Sequence, residues 1–373
     1  MLAPDVFASF LIRRGLSFFT GVPDSLLKEF CAYVSETQGT DKHVITANEG
    51  GAVALAAGHY LATRNPGVVY LQNSGLGNAL NPLVSLADGD VYGIPMLLIV
   101  GWRGEPGVKD EPQHVKQGRI QEALVRTLGY RYEILSSDVA EAEMQIERLV
   151  KCMREQSEPV FLLVRKGVFS SWHADDGPTE RYPMSREEVL EEILLHLEDS
   201  DRIVSTTGKT SREIYELREK TDNGHHRDFL TVGSMGHAGM IALGVAIGQS
   251  RRVVCIDGDG AALMHMGSMA ILGARQPANY IHIVINNGAH ESVGGQPTVG
   301  FDISFTSVAR DLGYAVVHPV VETRDDLKSI LSRVADHQGL QFVEIRVRKG
   351  ARSDLGRPMT TPVANRDAFM GAL

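Results

Sequence analysis

The chain has 373 residues, 43% of them hydrophobic and 22% charged, with a formal net charge of −9. This composition supports substantial apolar cores, excludes global disorder and suits two domains of ordinary size. The acidic balance argues against nucleic acid or an anionic membrane as the main partner, so an anionic substrate must meet a local basic pocket.

The N-terminal segment sets Asp5 and Arg13-Arg14 among apolar residues. It reads as an amphipathic helix rather than a signal peptide. Short apolar runs at 16–19, 43–47, 68–71, 96–100 and 160–164 read as strands with helical patterns between them. The stretch 173–184 is polar and contains proline, which marks a linker. A second series of strands is expected at 203–205, 229–232, 253–256, 280–285, 315–318 and 342–346. No run reaches membrane-spanning length. The pattern predicts an α/β protein of two doubly wound parallel-sheet domains, 1–172 and 185–348, with helices on both faces of each sheet. From Lys349 onward it breaks into an arm, 349–373, that ends in a short apolar helix. Cys31, Cys152 and Cys255 are odd in number and far apart. Neither a disulfide framework nor a zinc spacing follows, and a reducing, cytoplasmic compartment is expected.

The most informative segment is Gly258-Asp259-Gly260, separated by 25 residues from Asn286-Asn287. A strand at 252–256, a helix at 261–274 and a strand at 280–285 make a βαβ unit, so the two strands should run parallel. Asp259 and the asparagines then leave the carboxyl ends of their strands, where open α/β sheets bind ligands. A carboxylate and an amide oxygen suit a hard divalent cation, Mg²⁺ first, bridging to a phosphate. The glycines allow close approach, and the following helix start offers N–H groups to an anion.

This arrangement resembles the thiamine diphosphate enzymes, whose signature is GDG, a spacer of this length, and Asn. The resemblance implies a metal held by Asp259, Asn287 and the backbone oxygen of Ala289, with Asn286 as the competing ligand. It implies that Glu49, in Thr46-Ala-Asn-Glu-Gly-Gly, is the glutamate that hydrogen-bonds the cofactor's pyrimidine and promotes its activation. From the residues alone, Glu49 is equally a first-turn acid with Asn48 as cap. Met235, in Gly233-Ser-Met-Gly-His, matches the apolar residue that wedges the cofactor bent, with Gly233 and Ser234 beside it. Thr206, Thr207 and Gly208 end a strand ahead of a helix expected near Ser211. With Gly258, Gly260 and Ala261 they suit the diphosphate. A P-loop reading of 205–211 fails because Ile203 stands where a glycine is required. Asn73-Ser-Gly-Leu-Gly fails as a dinucleotide fingerprint, because Leu80 replaces the third glycine.

The two-domain length matches the family's minimal design: an aminopyrimidine-binding domain, then a diphosphate-binding domain, and no middle domain. Because family active sites form between subunits, the resemblance implies a homodimer at least. Several strings resemble one branch, decarboxylases of small anionic 2-oxo acids. They are Gly21-Val-Pro-Asp-Ser, Thr207-Gly-Lys-Thr-Ser-Arg-Glu213, His290-Glu-Ser-Val-Gly-Gly-Gln-Pro-Thr298 and Asp354-Leu-Gly-Arg-Pro358. Candidate proton-handling groups are His290, beside the metal segment, Asp24, after the first strand, and His114. His114 lies in 110–118, which reads as a long loop after the 96–100 strand. Candidates for the substrate's second anionic group are Ser25, Lys109, Lys116, Lys209, Arg212, Arg352 and Arg357. A phosphonate, a sulfonate or an uncharged oxo acid stays open as the substrate type. A non-catalytic nucleotide- or phosphate-binding protein on the same fold is the alternative from a different class.

Overall fold

The computed structural model describes residues 1–172, 181–221 and 224–373. The chain forms two compact units. Of the described residues, one unit comprises 1–172 together with Ser292–Gln296, and the other comprises the remainder. Most of the expected linker, 173–180, lies outside the described residues.

The first unit holds β1 (Phe19–Gly21), β2 (His43–Ile45), β3 (Gly67–Gln72), β4 (Met96–Gly101), β5 (Tyr132–Ile134) and β6 (Val160–Val164). The second holds β7 (Arg202–Ser205), β8 (Asp228–Leu230), β9 (Val253–Gly258), β10 (Tyr280–Asn286), β11 (Val316–Val317) and β12 (Gln341–Arg346). All strand pairs are parallel. The sheet orders are β2-β1-β3-β4-β6-β5 and β11-β12-β10-β9-β7-β8. Numbered within its own unit and read from the other edge, the second sheet has the order of the first. The strand order reverses between β1 and β3 in one unit and between β7 and β9 in the other. In doubly wound sheets that switch point is where ligands bind.

Alternate residues of the central strands feed separate cores, as burial on both faces demands. Val68 and Tyr70 join Phe7, Phe30 and Leu149 on one face. Val69 and Leu71 join Val53, Ala56 and Leu83 on the other. Val254 and Ile256 likewise face Leu190, Ile214 and Ile330, whereas Val253 and Cys255 face Ala242, Leu272 and Phe305.

The structure departs locally from the sequence reading. The strand expected at 16–19 begins only at Phe19 and runs to Gly21. Strand β5 has three half-buried residues and no apolar run to announce it. The helix expected at 261–274 is two helices, Asp259–Met264 and Gly267–Arg275, broken at His265. The loop at Gly236 presses on that break: a Cβ there would lie 2.7 Å from His265 Cδ2 and 3.1 Å from Met264 Cβ. The C-terminal helix, Pro362–Ala372, covers the edge strand β8. Asn365 accepts from Leu230 N at 3.1 Å and donates to Asp228 O at 2.8 Å, pairing edge groups that would otherwise be open.

Candidate active site

In the second unit, β9 delivers Asp259 into the first turn of a helix, and β10 delivers Asn286 and Asn287 from the neighbouring strand end. Asp259 is 2% exposed. Burial pushes its carboxyl up to about 6, although Thr298 and the backbone N–H groups of Asn287 and Gly260 pull the other way. The Thr298 hydroxyl donates to Asp259 Oδ2. Among the described residues no cationic side chain pairs with this carboxylate, so a bound cation would supply the missing charge.

The two asparagines separate by their partners. Asn286 is fully buried and donates to Gly300 O at 2.6 Å and Glu344 Oε1 at 3.1 Å, while its oxygen takes Gly288 N. Asn287 donates to Glu291 Oε2 at 3.0 Å, which orients its Oδ1 the other way, toward Ala289 N. Glu291 is in turn held by Arg186 at 2.5 Å and Lys209 at 3.4 Å, and Arg186 also pairs with the buried Glu213. The difference lies in the amide nitrogens, that of Asn286 being spent on Gly300 and Glu344 and that of Asn287 on Glu291, while each side-chain oxygen accepts a backbone N–H two residues on.

Gly260 has His290 and Met235 over it: a Cβ would lie 3.2 Å from the His290 ring and 3.5 Å from Met235 Cε. Met235 is lifted out of its turn by left-handed residues on both sides, Ser234 at φ 53° and Gly236 at φ 84°. A non-glycine residue in that region is uncommon and marks a constrained loop. His290 is 8% exposed, and burial pulls its imidazole down to about 4. Across the switch point, Thr206 follows β7, Thr207 donates to Val232 O at 2.8 Å, and Gly208 turns at φ 97°. The helix Lys209–Thr221 then starts two residues earlier than Ser211. The helix start and the carboxylate fit a metal-bridged diphosphate.

In the first unit the polar residues gather at the carboxyl ends of β2, β1, β3 and β4, four adjacent strands. Glu49 opens the helix Glu49–Thr63, capped by Asn48, whose side chain accepts from Gly51 N at 2.9 Å. It is 5% exposed, its carboxyl is raised by burial, and Asn78 donates to its Oε2 at 2.7 Å. Burial therefore favours the protonated form that can donate. Asp24 is fully buried with its Oδ1 unpartnered among the described residues, and burial pushes it to about 6. Ser25 accepts from Arg103 at 2.7 Å. His114 does not lie in a long loop. It sits in the first turn of the helix Pro112–Thr127, because Pro112 suits a helix start. It is bonded to Asp110 at 3.0 Å.

The basic candidates divide. Lys109 and Lys116 are exposed. Lys209 pairs with Glu291. Arg352 is engaged by Glu187, Glu216 and Asp354. Arg212 and Arg357 also have partners. Sequence reasoning missed Arg103, Asp110, Asn78, Thr298, Glu291 and Arg186; Asp110 is held by neighbours within seven residues, and the others also make contacts between distant segments.

Comparison with known proteins accounts for this geometry. Residues 1–124 match the thiamine pyrophosphate enzyme N-terminal TPP binding domain, and residues 206–345 match the C-terminal TPP binding domain. The chain belongs to the thiamine pyrophosphate enzymes. Within that family it is 36% identical to a phosphonopyruvate decarboxylase of Streptomyces hygroscopicus, over 96% of this chain and 91% of that one. It is 35% identical to the phosphonopyruvate decarboxylase of Streptomyces viridochromogenes over 96% and 92%. A sulfopyruvate decarboxylase of Methanosarcina acetivorans is 28% identical over 77% and 76%. These matches speak for an enzyme over a non-catalytic phosphate-binding protein.

Proposed function

We propose that this chain is a thiamine diphosphate- and Mg²⁺-dependent decarboxylase that converts 3-phosphonopyruvate to phosphonoacetaldehyde and CO₂, a step of phosphonate biosynthesis of the 2-aminoethylphosphonate type. The observation that carries the cofactor reading is Asp259, a buried carboxylate at a strand end that takes the backbone N–H of Asn287 and has, among the described residues, no cationic side chain to pair it. When bound, the cofactor supplies the electron sink that loss of CO₂ from a 2-oxo acid requires.

The chain's residues do the rest. Asp259, Asn287 and the backbone oxygen of Ala289 would hold the cation. Thr206, Thr207, Gly208, Gly258, Gly260 and Ala261 would face the diphosphate, and Met235, with Gly233 and Ser234, would support the rings. Glu49 would donate a hydrogen bond to the cofactor's pyrimidine. Asp24, His114 and His290 are the groups placed to hold or move protons, and burial pushes the acid up and the imidazoles down. Within the first unit, the opposed shifts of Asp24 and His114 suit acid and base chemistry. The choice of a phosphonate rests on the two full-length relatives above. Its charge calls for cations, with Lys209 and Arg212 at a helix start and Lys109 and Lys116 on the surface as the first to test.

Purified protein should bind thiamine diphosphate only with Mg²⁺, and Asp259→Ala should abolish that binding. Turnover of phosphonopyruvate, sulfopyruvate and pyruvate then decides the substrate. Equal or faster turnover of sulfopyruvate overturns the phosphonate assignment, and failure to bind the cofactor overturns the whole reading.

A further inference from the structure

The turn after β4 and the helix that carries His114 form one clamped piece. Gly104 turns at φ 70°, and a Cβ on it would lie 2.0 Å from His114 O. A Cβ on Gly118, one turn further along the same helix face, would lie 1.8 Å from Gly104 O. Trp102 Nε1 donates to Gly118 O at 2.8 Å. Backbone thus lies on backbone, and Arg103 is fixed relative to His114.

Asp110 sits between them. Its Oδ2 accepts from Arg103 Nε at 2.8 Å and Gly104 N at 2.7 Å. Its Oδ1 accepts from Arg103 Nη2 at 2.5 Å, Glu111 N at 2.7 Å and the Nδ1 of His114 at 3.0 Å. Burial alone would raise this carboxyl, but the hydrogen bonds from Arg103, His114 and the backbone outweigh it and hold it well below the usual carboxylate range. An ionised carboxylate only accepts. His114 must therefore carry its proton on Nδ1, leaving the Nε2 lone pair toward Gln72 Nε2 at 3.5 Å. Burial favours the neutral imidazole, against the pull of Asp110.

We propose that Asp110 is the positioning residue that fixes the tautomer of His114, and that Arg103, tied to Ser25, keeps Asp110 ionised and aimed. This deepens the decarboxylase reading and rests on it for the role of His114. A carboxylate behind an imidazole makes its far nitrogen a defined base, which becomes an acid once protonated. The charged groups that face His114 are Asp110, Arg103 and Glu111. Losing the negative one makes the ring harder to protonate.

The test reads the ring directly. The chain has 13 histidines, so ¹⁵N-histidine labelling of the full chain is assigned for His114 by its loss in His114→Gln. In the wild type, Nδ1 should give a protonated, pyrrole-type signal and Nε2 a pyridine-type one. In Asp110→Ala, which removes the acceptor of Nδ1, the preference should be lost, and the pyrrole-type signal should move to Nε2 or average between the two nitrogens. With phosphonopyruvate, kcat should then fall roughly a hundredfold or more while KM stays within about threefold, and the acid limb of kcat/KM should move to lower pH. Asp110→Glu, which keeps the charge, should recover part of the rate and the wild-type tautomer.

A wild-type His114 protonated on Nε2 overturns the proposal, even if no variant folds. An unchanged tautomer in Asp110→Ala, or a lost preference with full kcat, overturns it as well. A wild type with the expected tautomer and no phosphonopyruvate turnover would instead overturn the substrate reading.

Discussion

The carboxyl group of Glu49 rests against the backbone of Gly75, so closely that a Cβ on Gly75 would lie 2.2 Å from Oε1 and 2.6 Å from Cγ. Gly75 itself has φ −75° and ψ −11°, a conformation open to any residue. Only the contact therefore demands glycine. Gly75→Ala should push the Glu49 carboxyl off its place while the fold around it stands. Turnover should fall at least about tenfold with cofactor affinity nearly unchanged. Steady-state kinetics beside a cofactor titration check this, and normal turnover would show that the position of the carboxyl does not matter.

Glu49→Gln asks a different question at the same place. The amide keeps the size and can still meet Asn78, but it has no acidic proton to give. kcat should drop about a hundredfold, with the cofactor still bound. Near-normal turnover would mean that another acid does this work.

Much of this was legible because it is written locally. Asp259 and Asn287 each follow an apolar strand, and parallel pairing of two such strands brings them together without further information. Glu49 stands one residue after its cap. The rest was hidden because it depends on contacts at long range. Thr298 reaches Asp259 from 39 residues away, and Arg186 reaches Glu291 from 105. His114 read as a loop residue, since only the clamp of Gly104 on Gly118 shows which face it presents. A count of basic residues could not reveal that Arg352 is already engaged by Glu187 and Glu216. The same holds for the helix break at His265, which is pressed by a loop from another part of the sheet.

Gly300 leaves room beside the proposed cation site by its missing side chain. A Cβ there would lie 2.7 Å from Asn286 Oδ1 and 2.8 Å from Asp259 Oδ2. Gly300→Ala should weaken Mg²⁺-dependent cofactor binding about tenfold or more, a cost of about 1.4 kcal/mol. Gly244→Ala, whose Cβ would meet nothing within 4 Å, serves as the control. Calorimetric titration of both variants decides, and equal affinities would sever Gly300 from the site.

Asp24 gives a prediction about stability in which the sign matters. Its carboxyl is fully buried, with Oδ2 accepting from Leu26 N at 2.9 Å, and burial raises it from 3.8 to about 6. A raised folded-state value means that the folded protein keeps a proton the unfolded chain has lost. The stabilising effect of that proton is complete below pH 4 and disappears as pH rises through 6. Two units correspond to about 3 kcal/mol lost over that window. Asp24→Asn has no such titration. Relative to the variant, the wild type should therefore lose stability between pH 4 and pH 7, whatever other groups contribute to both. Thermal midpoints of the two proteins at pH 4, 5, 6 and 7 provide the comparison. The midpoint of the variant should gain on the wild type across that series, by several degrees in total. Parallel curves would mean that Asp24 is ionised in the folded chain, which would remove it as a proton donor near neutral pH.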